Sequence, residues 1–165
     1  MIARDVWVKY AKFAAVVVLV VLLDQISKAM VLRMMPLFER IAVIPGFFNL
    51  THVHNPGGAF GFLAQNGEAW RHWLFLGAAF FALGIILYFY HRTPKTLPWL
   101  AGSLAMIFGG AVGNLIDRIR FGEVVDFLDV YIASYHWPTF NVADSAVSVG
   151  IGIFILHIIL KKMPF

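Results

Sequence analysis

Four stretches of this 165-residue chain, at about 13–32, 72–90, 97–116 and 140–160, are apolar over close to a bilayer's thickness. A helix needs roughly 20 such residues to cross the hydrocarbon core. A backbone placed there must satisfy its own polar groups, so each stretch is expected to be a helix. Hydrophobic residues make up 61% of the chain and charged residues only 13%, against about 25% charged in soluble domains. The fold class expected is therefore an all-α membrane protein: one domain, residues 1–165, with four transmembrane helices. Trp7, Trp70, Trp73, Trp99 and Trp137 fall at or just beyond the ends of the apolar runs, as do Tyr10, Tyr88, Tyr90, Tyr131 and Tyr135. That is the interfacial aromatic belt of a membrane protein.

The net charge of +4 is placed by topology and does not call for nucleic acid. Arg4, Lys9 and Lys12 precede the first run, Arg92 and Lys95 sit between the second and third, and Lys161 and Lys162 follow the last. The other connections mix Arg33, Arg40, Arg71, Arg118 and Arg120 with Glu39, Glu68, Asp117, Glu123, Asp126 and Asp129. By the positive-inside rule both termini and the short middle connection are expected in the cytoplasm. The first run could be mistaken for a cleaved leader, but Ser27-Lys28-Ala29 puts a lysine inside the would-be cleavage site. The absence of cysteine excludes a thiol nucleophile, disulfides and zinc thiolate sites.

Two connections are too elaborate for turns. Residues 33–71 carry Ile41-Ala42-Val43-Ile44, then Pro45-Gly46, then the run from Phe47 to His54, which reads as a small outer β-region between the first and second helices. Gly57 to Gly61 follows as a close-approach backbone. Residues 117–139 form the second connection and contain Asp126. With 1.5 Å per residue and the expected topology, Asp24 and Lys28, Asn114, Asp117 and Arg118, and Asn141 and Asp144 all map to the outer half of the bundle, beside Asn55 and Asp126. Ionisable groups at such depths are costly and point to function. Asp126 and Asp144 have no obvious local counter-ion. Two such carboxylates can share a proton and activate water, which is aspartic-protease chemistry.

Other readings stand beside this one. Asp24 and Lys28, four apart, are expected to pair on one helix face. Asp117-Arg118 reads as a helix-end charge cluster, and Asn141 or Asp144 as a helix cap. Gly109-Gly110-Ala111-Val112-Gly113 reads as close helix packing through small residues. Asp129 is an alternative carboxylate to Asp126. A proton-coupled transporter would need an ionisable trail from face to face, and the inner half of the bundle has almost none.

Five blocks then occur in a specific order: Asp24-Gln25-x-Ser27-Lys28, Asn55-x-Gly57-Gly58-Ala59-Phe60, Gly109-Gly110-Ala111-x-Gly113-Asn114-x-x-Asp117-Arg118, Val124-Val125-Asp126-Phe127 and Phe140-Asn141-x-Ala143-Asp144. In content, order and spacing the chain resembles lipoprotein signal peptidase (signal peptidase II). Pro56, Gly58 and Val147 depart slightly from the usual pattern. The resemblance implies a bacterial cytoplasmic-membrane aspartic endopeptidase that cuts prolipoproteins before a diacylglyceryl-modified cysteine, with its active site at the outer face. It implies Asp126 and Asp144 as catalytic, Asn55, Gly57, Asn114, Arg118 and Asn141 as substrate-binding, and Asp24 and Lys28 as supporting. No metal or other cofactor is expected. The expected partners are diacylglyceryl-prolipoproteins and the phospholipid bilayer, with no nucleic acid, and the chain is expected to act as a monomer.

Overall fold

A computed structural model of the chain describes residues 2–57 and 69–160. The run from Gly58 to Gly61, Glu68, Lys161 and Lys162 lie outside the described residues. The order of elements is α1 (Ile2–Met34), β1 (Arg40–Ile44), β2 (Phe48–Asn55), α2 (Ala69–Arg92), α3 (Pro98–Phe121), β3 (Val124–Ile132), β4 (Tyr135–His136) and α4 (Val142–Ile159). Among the described residues, four helices are long and apolar enough to cross a membrane. Their large apolar side chains are exposed along the bundle, among them Leu19, Leu22 and Ile26 on α1 and Phe80 and Phe81 on α2. A helix with apolar residues outside as well as inside is solvated by lipid.

α3 is the central helix and packs against each of the other three. Its small residues make that approach possible. A Cβ on Gly113 would lie 2.6 Å from Asp24 Oδ2, and one on Gly109 would lie 3.0 Å from Val20 Cβ. A Cβ on Gly110 would collide with the carbonyl oxygen of Ala143. Gly150 of α4 returns the contact, since its Cβ would sit 2.6 Å from Ile107 Cγ1. The glycine-rich run thus serves helix packing, as the sequence suggests.

The β-region is larger than its sequence signal. β1 and β2 form the hairpin expected around Pro45-Gly46, with Phe47 N–H donating to Ile44 O at 3.0 Å and Gly46 at φ 82°. That positive φ is what the third position of a Pro-Gly type II turn requires. The connection between α3 and α4, read as a loop, supplies β3 and β4. The four strands form one antiparallel sheet in the order β1-β2-β3-β4. Val124 to Ile132 is rich in β-branched and aromatic residues, a strand signal that the search for helices overlooks. Gly122, at φ 78°, ends α3 with its N–H on Arg118 O and turns the chain straight into β3. The sheet sits where α1 and α3 end and α2 and α4 begin.

Candidate active site

Sheet register decides which side chains face the bundle. Leu50 pairs with Leu128 and Val53 with Asp126, so three residues of β2 span two of β3. This bulge reverses the alternation of β2 relative to β3. Without it Asn55 would point away from Asp126. With it Val53, Asn55, Val124 and Asp126 share one face, and Asn55 Nδ2 donates to Asp126 Oδ2 at 3.0 Å. Asp129 is three residues on and lies on the opposite face. There it accepts from Asn49 Nδ2 at 2.8 Å and meets His136 and Arg40. The alternative carboxylate is thereby engaged elsewhere.

The second aspartate arrives by a short return of the chain. Phe140 bridges to Leu128, its carbonyl accepting from the N–H groups of Phe127 and Leu128. Asn141 therefore falls beside Asp126 as the N-cap of α4. It forms a capping box with Asp144: Asp144 N–H donates to Asn141 Oδ1 at 2.9 Å, and Asn141 N–H to Asp144 Oδ2 at 3.2 Å. The same Asn141 side chain donates from Nδ2 to Asp126 Oδ1 at 2.8 Å. Asn114 of α3 completes the link, donating to Asp144 Oδ1 at 2.8 Å and accepting from Asn141 Nδ2 at 3.1 Å. Two asparagines thus tie the two carboxylates into one network. Asp144 is at once a helix cap and a member of this pair, so the capping reading and the functional reading are compatible.

Burial sets the electrostatics. Asp126 is 2% exposed. Burial, and then the charge of Asp144, push its pKa up to about 7, against the hydrogen bonds from Asn55 and Asn141 and the charge of Lys28. Neither aspartate forms an ion pair among the described residues. Lys28 lies beneath them, 2% exposed, with its three N–H donors directed at Asp24 Oδ2 (2.8 Å), Asp117 Oδ2 (2.9 Å) and Asn114 Oδ1 (3.0 Å). The expected Asp24–Lys28 pair forms, and it is part of a larger cluster. Asp24 Oδ1 also accepts from the N–H of Ala143 at 3.0 Å, and Asp117 Oδ2 from that of Val125 at 3.1 Å. The buried charges therefore hold the starts of α4 and β3, the segments that carry the two aspartates.

Asp117 differs from its reading as a helix-end cluster with Arg118: its partner is Lys28. Gln25, which sequence reasoning left without a role, donates to Asp24, Asp117 and the carbonyl of Gly113. Its place between Asp24 and Lys28 in the first block was the available signal. Arg118 Nη2 donates to Gly57 O at 3.2 Å, and its guanidinium lies 5.3 Å from the Phe75 ring centre. Gly57 N–H donates to Asn55 Oδ1 at 2.9 Å. Both backbone polar groups of Gly57 thus fasten residues of this site.

The sequence model of the family described as Signal peptidase (SPase) II matches residues 16–160. The chain belongs to the signal peptidase II family. It is 52% identical to the lipoprotein signal peptidase of Desulforapulum autotrophicum over 146 residues, 88% of this chain and 90% of the relative. It is 45% identical to that of Geobacter sulfurreducens over 153 residues, 93% of this chain and 94% of the relative. A solved structure described as a bacterial membrane enzyme, obtained by the in meso method, superposes with a TM-score of 0.83 at 32% identity, covering 92% of this chain and 90% of that one. The chain is thus a multi-pass membrane enzyme of the lipoprotein signal peptidases, aspartic peptidases that remove signal peptides from prolipoproteins.

Proposed function

We propose that Asp126 and Asp144 are the catalytic pair, sharing one proton and one water, and that they cut diacylglyceryl-modified prolipoproteins just before the lipidated cysteine. The observation that carries this is the double asparagine bridge, through which Asn141 and Asn114 hold both carboxylates at one place. At neutral pH one member of the pair is ionised and takes a proton from the water as it attacks the scissile carbonyl. The protonated member donates to the carbonyl oxygen. Collapse of the tetrahedral intermediate breaks the C–N bond, and a proton passes to the leaving amine. The proton belongs to the pair, so neither aspartate is assigned as first base. Arg118, a fixed cation with five N–H donors, spends one of them on Gly57 among the described residues. The others, in this reading, hold a substrate carbonyl. In this reading Asn55, Asn114 and Asn141 orient the pair, Gly57 fastens Asn55 and Arg118, and the Asp24–Lys28–Asp117 cluster keeps the elements in place.

The positive-inside pattern supports cytoplasmic termini, which puts the pair at the outer face of the bacterial cytoplasmic membrane. There a diacylglyceryl tail stays in lipid while the signal helix lies along the bundle, fixing the depth of the scissile bond and reducing the entropy lost on alignment. One copy supplies both aspartates, so a monomer suffices. The test uses one purified precursor in two forms. The lipidated form is expected to be cut at least about a hundredfold faster than the form with a free cysteine, an anchoring effect well within what positioning supplies. Equal rates would remove the lipid tail from the account.

A pH profile tests the shared proton. With Asp126 at about 7, the singly protonated pair is lost as pH rises past that value, and kcat/KM should fall about tenfold per unit on the alkaline side. Asn55 donates to the charged carboxylate and so favours ionisation. Asn55→Ala should therefore move the alkaline limb to higher pH while lowering kcat. A limb that stays put or moves down would contradict the role given to Asn55.

A further inference from the structure

At the opposite end of the bundle from the aspartates, a cleft of about 460 Å³ opens between α1 and α3 beside the α2–α3 corner. Lys12 is twelve residues from Asp24 on α1, about 18 Å along the helix. The cleft has two zones. Lys9, Lys12 and Lys95 line it together with Phe13, Val16, Ala101 and Ala105; Lys12 and Lys95 are exposed, whereas Phe13 and Ala105 are buried. Small side chains keep it open: a Cβ built on Gly102 would meet nothing within 4 Å. Lys9 is fixed by donating to the carbonyls of His91 (2.9 Å) and Thr93 (2.7 Å) at the end of α2. An ammonium carries a third donor.

We infer that this cleft is a binding site for one anionic phospholipid, with the phosphate among Lys9, Lys12 and Lys95 and an acyl chain along the apolar wall between α1 and α3. Cations held at a membrane interface above an apolar slot match the two parts of such a molecule. The size suits a small-molecule site. The leader of a secreted precursor begins with a positively charged region, which these lysines would repel, so the cleft is not a continuation of the substrate path. Lipid here would join the starts of α1 and α3, leaving the chemistry at the far end untouched.

The test is native mass spectrometry of the purified full chain in detergent, offered phosphatidylglycerol or phosphatidylcholine with the same acyl chains. One phosphatidylglycerol should be retained, with about tenfold preference over phosphatidylcholine. Lys12→Gln with Lys95→Gln should bring that preference to within about twofold. Gly102→Leu, which fills open space, should lose retention of both lipids. Cleavage of a lipidated precursor in detergent should stay within about twofold of the unaltered chain for each variant, which also reports that the variants are folded. Equal retention of the two lipids, a preference unchanged by the glutamines, or displacement of the lipid by millimolar inorganic phosphate would overturn the proposal. So would full retention by Gly102→Leu.

Discussion

Lys28→Met is expected to destabilise the protein by about 3–5 kcal/mol, the range for stranding charges buried with a lost partner. Lys28 is 2% exposed and meets two carboxylates that are themselves no more than 1% exposed. Methionine matches the side chain as far as Cε, so the loss is chiefly electrostatic and leaves little cavity. Asp24 and Asp117 would remain buried with no cation against them, while still holding the N–H groups of Ala143 and Val125. Unfolding in detergent, followed by a tryptophan signal against denaturant, should show the loss. Adding Asp24→Asn and Asp117→Asn to Lys28→Met should recover a substantial part of it, because the stranded charges are then removed. A change below about 1 kcal/mol for Lys28→Met alone would mean that the cluster does not carry the bundle.

Much of this molecule is legible in its sequence because a bilayer permits so few structures. Four apolar runs admit only helices, and the helices appear within a few residues of their expected ends, except that α1 extends back to Ile2 and α3 on to Phe121. Those extensions are polar or mixed turns beyond the hydrocarbon, where hydropathy gives no signal. The Pro45-Gly46 hairpin was legible for the same reason as any tight turn. β3 carries a strand composition, but its pairing was not legible, because the partner strand lies some seventy residues earlier. The bulge between Leu50 and Val53 was invisible too, and it determines that Asn55 reaches Asp126. Composition and spacing brought Asp24 and Lys28 together, since four residues make one helical turn. They could not assign Asp117 to Lys28, a contact between α1 and α3 that depends on how closely Gly109 and Gly113 let the helices approach.

The second large effect concerns the aspartates. Asp126→Asn and Asp144→Asn should each lower kcat by about a thousandfold or more, within the 10²–10⁴ range of positioned proton transfer and equal to about 4 kcal/mol of barrier. Each substitution removes the shared proton and one of the two roles, so neither variant retains half the activity. Both should remain folded. An asparagine at 144 keeps an oxygen for the N–H of Asn141, and an asparagine at 126 keeps one for either amide donor, at a cost near 1 kcal/mol per altered hydrogen bond. The decisive measurement is the single-turnover cleavage rate of a purified lipidated precursor by these two variants, each matched to the unaltered protein in amount and unfolding midpoint. Loss of cleavage in both, with insertion and stability retained, is the predicted result. Cleavage at the normal rate by either one would contradict a mechanism in which residues 126 and 144 act on the same water.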